Sequence, residues 1–541
     1  MRVLGINAVF HDSAAALVVD GHTVAAAEEE RFSRRKHGKR PVPFSAWELP
    51  EEAIRWCLSE GGIEPADLDA VAYSYDPTLV AQNGGGQDRR WEHLRTTFAE
   101  RAPYFLQTLL PDYHPDRFHF VRHHVAHAAS AGLVAGFGDC AVLVADGRGE
   151  ATSSLLGEYR DAKLDILAAQ PLPHSLGLLY EDLTAHLGFE RSSDEYKVMA
   201  LGSYGTPRHL PLLRRFVYAD DGGFRTHGLD WPSLAPKRVA GQEFDDRHAD
   251  LAASVQAVCE EVLLELCGWL HRRTQNPDLV MAGGTALNCV ANTRLYADGP
   301  FDRIWVQPAA GDSGTALGAA LTVAAEAGDR IEPMSTAALG RGFSDDAIEQ
   351  ALRTARVRYE RPADLPEEVA AILAADGIVA WFSGRAEYGP RALGHRSLLA
   401  HPTRPENLER LNDIKGREQF RPVAPMVLAD RAEEIFSIGP VPSPYMLFVH
   451  QVAPQWRQRL AAVTHVDGTA RIQTVDDSHP TLAATLRAFD RRTGVPVVVN
   501  TSLNTAGRPI VDSPRDALEL FGSTPVDALA IGPFLLRRER L

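Results

Sequence analysis

The sequence predicts an α/β protein with two domains, the first of which contains an internal repeat. The chain has 541 residues, which is long for a single hydrophobic core. A pattern of buried strand, polar turn and hairpin occurs at the N-terminus and again from residue 141. Residues 328–343 contain proline and glycine without a sustained hydrophobic period, and new strand and helix patterns follow them. We therefore expect one domain at residues 1–342 and another at residues 343–541.

The repeat consists of two similar series of short strands. The first series predicts strands at residues 3–7, 14–19 and 23–28, with a polar turn at 11–13 and an Asp-Gly hairpin at 20–21. The second predicts strands at residues 141–146, 152–159 and 164–168. Two such series resemble the duplicated actin/sugar-kinase ATPase fold, in which two hairpin turns clamp nucleotide phosphates.

A candidate nucleotide site follows a long helix predicted at residues 249–274. The apolar run from Leu279 reads as a buried strand that ends in the turn Gly283-Gly284, ahead of Asn288. Because glycine lets the backbone approach a ligand closely, this turn indicates nucleotide binding. Beyond the break, residues 345–353 predict a helix and residues 377–382 a strand.

Two histidines and two aspartates form a candidate metal site. His123 and His127 are four residues apart, so a helix would place both imidazoles on one face. Asp146 ends an apolar strand pattern, and Asp312 lies in a glycine-flanked loop before an apolar helix. A His-X-X-X-His motif by itself is more often structural, but the two aspartates favour a metal. Such ligands accommodate Fe²⁺, Mn²⁺ or Zn²⁺.

Basic residues in the C-terminal half form a second candidate site. Glycines surround Arg391 and Arg396, and three further basic residues follow at Lys415, Arg421 and Arg471. The planar guanidinium suits bidentate binding of phosphate or carboxylate groups. The alternative is a set of unrelated surface salt bridges. We expect a positively charged cavity that binds phosphate.

Composition restricts the possible partners and the cellular compartment. The formal charge of −15 argues against nucleic acid. The basic run at residues 31–40 is either a solvated loop or a phosphate contact. The sequence predicts no membrane segment and no signal peptide. Five scattered cysteines without a Cys-X-X-Cys pair fit a reducing cytoplasm.

Motifs throughout the chain resemble the O-carbamoyltransferase family of TobZ, NodU and CmcH. The resemblance covers nearly the full length, in segments that begin at Phe10, Ala27, His123, Asp146, Gly283, Gly384, Arg421 and Asn500. It implies a TsaD-like N-terminal domain, which would hold an adenylate on a metal, iron in the family. It also implies a YrdC-like C-terminal domain, which would make carbamoyl-adenylate from carbamoyl phosphate and ATP, the latter bound with Mg²⁺. The first domain would then pass the carbamoyl group to an alcohol.

The resemblance also implies roles for individual positions. The metal ligands would be His123, His127, Asp146 and Asp312. Lys197 is kept from a lysine-containing family segment, but Tyr196 stands where the family has glycine, so this sequence departs from the nucleotide pocket there. The phosphate and carbamoyl contacts would be Lys36, Arg391, Arg396, Lys415, Arg421, Arg471, Asn500 and Ser502.

His11 and Asp12 lie where the family places residues near the acceptor hydroxyl. A histidine can serve as a base at neutral pH, and Asp12 either replaces it or orients it. The alternative is that the two residues form a structural pair. The acceptor is expected to be a small natural product such as an antibiotic, a sugar or a polyketide. The oligomeric state is left open, with a homodimer as one candidate.

Two other functions compete with carbamoyl transfer to a small molecule. A tRNA threonylcarbamoyladenosine-type synthase uses the same two domain types, although the acidic charge speaks against tRNA. A non-catalytic nucleotide-binding regulator would explain the repeat. It would leave the metal ligands and the arginine-rich segment unexplained.

Overall fold

The computed structural model describes residues 1–38, 49–80 and 89–538. The chain divides into two compact units, Met1–Thr336 and Ala337–Leu541, so the division lies a few residues before the expected break. Lys39 and Arg40 of the basic run lie outside the described residues.

The first unit contains two five-stranded sheets with the same topology. The first sheet has the order β3-β2-β1-β4-β5 and the second the order β8-β7-β6-β11-β12. In each sheet the first three strands along the chain pair antiparallel, and the last two add in parallel. This equivalence confirms the predicted duplication. The strands of the unit are β1 (Arg2–Asn7), β2 (Ala14–Val19), β3 (His22–Glu28), β4 (Ala70–Tyr73), β5 (Phe118–Phe120), β6 (Cys140–Ala145), β7 (Thr152–Arg160), β8 (Lys163–Pro171), β9 (Val217–Asp220), β10 (Gly223–Thr226), β11 (Asp278–Ala282) and β12 (Arg303–Val306).

Two equivalent helices, α4 and α11, each follow the last strand of a sheet and pack against each other. The helices of the unit are α1 (Glu30–Ser33), α2 (Glu51–Gly61), α3 (Arg89–Leu109), α4 (His123–Gly132), α5 (Leu176–His186), α6 (Glu195–Gly202), α7 (Leu210–Leu213), α8 (Trp231–Leu234), α9 (Asp246–Thr274), α10 (Cys289–Asp298) and α11 (Ser313–Glu326). Glycine allows a close approach, because a Cβ at Gly318 would lie 1.7 Å from the Ala126 carbonyl oxygen. The first turn of α4 therefore lies near the start of α11.

The second unit is an α/β domain around a mixed seven-stranded sheet of order β19-β15-β20-β14-β13-β21-β22. Strands β16, β17 and β18 form a separate small sheet. The strands are β13 (Val379–Phe382), β14 (Arg396–Ala400), β15 (Ala424–Leu428), β16 (Phe436–Ser437), β17 (His450–Val452), β18 (Thr469–Ala470), β19 (Gln473–Val475), β20 (Val497–Ser502), β21 (Ala528–Ile531) and β22 (Phe534–Arg537). The helices are α12 (Asp345–Thr354), α13 (Leu365–Ala374), α14 (Glu406–Lys415), α15 (Pro480–Thr493) and α16 (Pro514–Ser523).

The hydrophobic cores follow this division. One cluster of buried residues lies wholly in the second unit, from Ile348 to Leu536. Separate clusters lie under the two sheets of the first unit. Within the described part of the chain, no helix is both long and apolar enough to cross a membrane.

Candidate functional site

Four buried side chains of the first unit converge on one point. His123, His127, Asp146 and Asp312 each offer a ligand atom, and these atoms all lie within 4.8 Å of one another. The Nε2 atom of His123 is 3.5 Å from Asp146 Oδ2 and 3.6 Å from Asp312 Oδ1. The corresponding distances for His127 Nε2 are 3.9 Å and 3.7 Å. Two imidazoles and two carboxylates at this spacing suit a divalent metal.

The duplicated fold explains why residues so far apart in the sequence meet here. His123 and His127 lie on the first turns of α4, while Asp312 directly precedes the equivalent helix α11. Asp146 follows β6, the first strand of the second sheet. The α4–α11 contact and the end of a central strand thus bring the four residues together.

Hydrogen bonds hold two of these side chains in orientation. The Nδ1 atom of His123 lies 3.1 Å from the Ser74 carbonyl oxygen, to which it can only donate. In the neutral ring this leaves the lone pair on Nε2, which faces the aspartates. The Gly284 amide donates to Asp146 Oδ1 at 3.0 Å. The glycine turn expected to bind nucleotide therefore orients a carboxylate of this four-residue cluster.

The buried nitrogens support the metal interpretation. Among the described residues, neither ring nitrogen of His127 has a hydrogen-bond partner, and the same holds for Nε2 of His123. Leaving such polar atoms unpaired inside a protein is unfavourable, and a metal ion would satisfy them.

Electrostatics favour ionised aspartates beside the imidazoles. Burial opposes ionisation of Asp146, but His123 and His124 hold its pKa well below the usual range. Burial also opposes ionisation of Asp312, whose pKa His11 and His123 lower. Burial lowers the pKa of His127, which favours the neutral ring that a metal requires.

Two neighbours of this cluster were missed by the sequence analysis. His124 is buried, its Nδ1 lies 2.8 Å from Thr152 Oγ1, and its Nε2 lies 3.5 Å from Asp146 Oδ2. Glu150 accepts a hydrogen bond of 2.7 Å from the His123 amide at the start of α4. The His-His doublet was a signal for His124, whereas Glu150 had none, because its contact depends on the turn after β6.

His11 and Asp12 adjoin the cluster and contact each other. His11 Nδ1 is 2.9 Å from Asp12 Oδ2, and His11 Nε2 is 3.8 Å from Asp312 Oδ2. Both side chains are partly exposed, at 25% and 27%. His11 therefore lies between the four-residue cluster and solvent, where an acceptor molecule could reach it.

The other predicted contacts of the first unit take varied positions. The Nζ atom of Lys36 lies 6.0 Å from the centre of the Tyr196 ring. Lys197 pairs with Asp194 at 3.1 Å. Asn288 caps α10 by accepting from the Ala291 amide, and its Nδ2 donates to Gln256 Oε1 at 2.8 Å. Gly283 has φ of 94°, and a Cβ there would meet the Ala145 carbonyl oxygen at 2.2 Å.

Two of the predicted phosphate contacts in the second unit are held by the protein itself. Lys415 Nζ donates to oxygens of Ser502 and Asn504, including Ser502 Oγ at 3.0 Å and Asn504 Oδ1 at 2.6 Å. Arg396 is fully buried, lies over the Phe382 ring and donates to several carbonyl oxygens, among them Ser383 O at 3.1 Å. Lys415 thus holds the end of β20 and the residues after it, whereas Arg396 holds the loop that follows β13.

Asn500 joins two segments that adjoin other residues of this set. Its Nδ2 donates to the Ala392 carbonyl oxygen at 2.9 Å and to Gln473 Oε1 at 2.8 Å. Gln473 in turn donates to the Leu393 carbonyl oxygen at 2.8 Å. These bonds join the loop that follows Arg391 to the segment that follows Arg471.

Two buried polar atoms lie unsatisfied near these bonds. The buried Nε of Arg471 and the buried Oδ1 of Asn500 have no hydrogen-bond partner in the part of the chain that the structure describes. A donor and an acceptor left in this state suit a polar ligand. Arg421, which is partly buried, lies 3.4 Å from Glu418. Gln473 was missed by the sequence analysis, because an uncharged glutamine carries no phosphate signal.

Comparison with known proteins identifies the family. The carbamoyltransferase N-terminus family matches residues 2–321, and the carbamoyltransferase C-terminus family matches residues 370–538. The chain therefore belongs to the carbamoyltransferase family, and the protein is a carbamoyltransferase enzyme.

Several relatives match over most of the chain. Nodulation protein NolNO of Sinorhizobium fredii is 38% identical over 553 residues, which cover 98% of this chain and 80% of that protein. Nodulation protein NolO of Bradyrhizobium diazoefficiens is 39% identical over 435 residues, or 77% of this chain and 79% of that protein. An uncharacterized protein of Synechocystis sp. is 37% identical over 615 residues, which cover 99% of this chain and 97% of that protein.

Proposed function

We propose that the protein is an ATP-dependent O-carbamoyltransferase. It makes carbamoyl-adenylate from carbamoyl phosphate and ATP, and transfers the carbamoyl group to a hydroxyl of a small natural product such as an antibiotic, a sugar or a polyketide. The observation that carries this proposal is the buried cluster of His123, His127, Asp146 and Asp312 with His11 beside it. Such a site offers both a place for a phosphate-bound metal and a base for an alcohol.

The first half-reaction is assigned to the second unit. Carbamoyl phosphate is hydrolysed to carbamate and phosphate, a carbamate oxygen attacks the α-phosphorus of ATP, and pyrophosphate leaves. The substrates are polyanions, and the open donor of Arg471 supports their binding there. Arg391, Arg421, Asn500 and Ser502 remain proposed contacts, whereas Lys415 and Arg396 are proposed to act by holding the loops.

The second half-reaction is assigned to the first unit. The acceptor oxygen attacks the carbamoyl carbon, the bond from that carbon to the phosphate oxygen breaks, and AMP leaves. His11 accepts the hydroxyl proton on Nε2, because its Nδ1 faces Asp12. The proposed contacts of the adenylate, whose phosphate derives from ATP, are Lys36, Lys197 and the turn at Gly283.

The four-residue cluster is proposed to hold a divalent ion, with Fe²⁺, Mn²⁺ and Zn²⁺ as candidates. Bound there, the ion would neutralise negative charge on the phosphate of the leaving AMP. The protein's part is to keep two imidazoles and two carboxylates within reach of one another.

The test uses the whole protein with Mg²⁺–ATP and labelled carbamoyl phosphate. We expect pyrophosphate release that depends on carbamoyl phosphate, and label transfer to members of a panel that contains glucose, N-acetylglucosamine, tobramycin and erythromycin. Arg471→Lys, which keeps the charge but loses the planar fork, should weaken carbamoyl phosphate binding about ten- to a hundredfold. Arg515→Lys is the control, because Arg515 is highly exposed and pairs with Glu519 within α16.

Two results would contradict the proposal. Absence of pyrophosphate with both substrates present would exclude the adenylate route. Equal Michaelis constants for carbamoyl phosphate in Arg471→Lys, Arg515→Lys and the parent would remove Arg471 from the site.

A further inference from the structure

We propose that His37 is a positioning residue for carbamoyl transfer, which holds Asp12 and through it the base His11. This inference rests on the proposed function, in which His11 accepts the proton of the alcohol. His37 and its partner Ser193 would then belong to the transfer machinery without touching the substrate.

The contacts form a continuous chain. Asp12 uses one carboxylate oxygen for each imidazole, with Oδ2 at 2.9 Å from His11 Nδ1 and Oδ1 at 2.8 Å from His37 Nδ1. His37 Nε2 lies 2.9 Å from Ser193 Oγ. Both oxygens of Asp12 are thus engaged, so that the carboxylate cannot turn without breaking a bond to an imidazole.

This arrangement fixes which ring nitrogen of neutral His11 carries the lone pair. Although burial opposes its ionisation, His37 and His11 hold the pKa of Asp12 well below the usual range. An ionised carboxylate only accepts hydrogen bonds, so both Nδ1 atoms carry protons. The lone pair of neutral His11 therefore lies on Nε2, on the side of Asp312.

The backbone reinforces the same contact. Asp12 and His37 both have positive φ, 52° and 60°, which is unfavourable for residues other than glycine. The Asp12 amide donates to the His37 carbonyl oxygen at 3.2 Å. Between the side chains the direction is reversed, because the His37 ring donates to the Asp12 carboxylate. Two strained turns are therefore locked to each other at these residues. Strain of this kind is retained where the surrounding structure requires one geometry.

A cation does not need to be invoked to explain this cluster. Asp12, Glu30 and His37 lie close enough to hold one. However, Glu30 Oε2 already accepts from the His37 amide at 2.6 Å, and Asp12 Oδ1 accepts from the His37 ring. Hydrogen bonding to His37 thus accounts for the closeness of both carboxylates.

The experiment compares two replacements of His37 that differ in which ring nitrogen they imitate. In His37→Asn the amide nitrogen lies near the place of Nδ1 and keeps the bond to Asp12. In His37→Gln it lies near the place of Nε2 and keeps only the contact with Ser193. We expect kcat for carbamoylation of the best acceptor in the panel to fall about ten- to a hundredfold in His37→Gln. His37→Asn should recover most of the loss, with KM for the acceptor nearly unchanged in both variants.

Controls separate this proposal from the proposed function. Pyrophosphate release should be the same in both variants as in the parent, since it is assigned to the second unit. His119→Asn, at an exposed histidine of β5, should behave as the parent. Equal kcat values for His37→Asn, His37→Gln and the parent would overturn the positioning role while leaving carbamoyl transfer intact.

Crystal structures of the two variants provide a measurement that needs no acceptor. The His11 Nδ1–Asp12 Oδ2 contact should persist in His37→Asn and be lost or displaced in His37→Gln. An unmoved Asp12–His11 pair in His37→Gln would overturn the proposal even if no panel member is carbamoylated.

Discussion

At the scale of single residues, the two histidines of the candidate metal site are not equivalent. His123 is anchored through Nδ1 to the Ser74 carbonyl oxygen, and its amide is held by Glu150. His127 has no such anchor among the described residues, and both of its ring nitrogens are buried without a partner. We therefore expect a bound metal to be more important for the orientation of the His127 ring than for that of His123. His127 would in turn supply one of the four ligands of the metal.

Replacing His127 by alanine should remove most of the bound metal. Loss of the metal would also leave two buried carboxylates with less positive charge nearby. Metal content is measured by elemental analysis after dialysis, and transfer and pyrophosphate release are measured in parallel. Transfer should be lost, and pyrophosphate release should be retained. His119→Ala, at an exposed position, is the control; full metal content in His127→Ala would show that the ligand assignment is wrong.

Residue types and spacing singled out the four side chains that converge, because each of them stood next to a readable structural signal. His123 and His127 share a helical face, Asp146 ends a strand, and Asp312 precedes a helix. The Asp12–His37 contact had no such signal, because it depends on two residues in left-handed conformation. Nor does the sequence show that Lys415 donates hydrogen bonds to Ser502 and Asn504, because tertiary folding brings these partners to it.

At the scale of secondary-structure elements, the site depends on how closely two equivalent helices pack. Gly318 of α11 faces the Ala126 carbonyl oxygen of α4 at a distance that leaves no room for a methyl group. Gly268 of α9 is different, since the nearest neighbour of a Cβ there is the mobile end of Arg272 at 3.3 Å. The same substitution should therefore have opposite effects at the two positions.

Gly318→Ala should destabilise the first unit, whereas Gly268→Ala should stabilise it. Overpacking at Gly318 should lower the free energy of unfolding by about 1–3 kcal/mol, and it should also weaken metal binding because α4 and α11 carry or adjoin three ligands. Alanine at Gly268 should raise the free energy of unfolding by about 0.5–1 kcal/mol through helix propensity. Urea unfolding measures both effects. A Gly318→Ala variant as stable as the parent would mean that the helices separate without penalty.

Short strand patterns bounded by polar turns and hairpin signals predicted both copies of the repeat. Pairing order was not readable from those patterns. The position of β4 beside β1, and of β11 beside β6, requires long crossovers that local sequence does not encode. For the same reason the α4–α11 contact, which brings the four-residue cluster together, became visible only in the structure.

At the scale of the whole molecule, the two units have their own hydrophobic cores, and the residues just before the predicted break belong to the second. The Ala386 amide donates to the Arg341 carbonyl oxygen at 3.0 Å, and the Gly340 amide donates to the Ala386 carbonyl oxygen at 2.9 Å. Arg341 also pairs with Asp512, and the carbonyl oxygen of Arg341 accepts a hydrogen bond of 3.0 Å from Arg396. A fragment that begins at residue 343 would lose all of these contacts.

The fragment of residues 337–541 should therefore fold alone and perform the first half-reaction. It retains the buried cluster from Ile348 to Leu536 and the segments around Asn500. We expect it to release pyrophosphate from ATP in the presence of carbamoyl phosphate but to carbamoylate no member of the acceptor panel. The fragment of residues 343–541 is the matched control, and its thermal unfolding should occur at a lower temperature because it lacks the Arg341 contacts. If the fragment of residues 337–541 unfolds cooperatively but releases no pyrophosphate, adenylate formation does not take place in the second unit alone. If this fragment carbamoylates an acceptor, the first unit is not the transfer site.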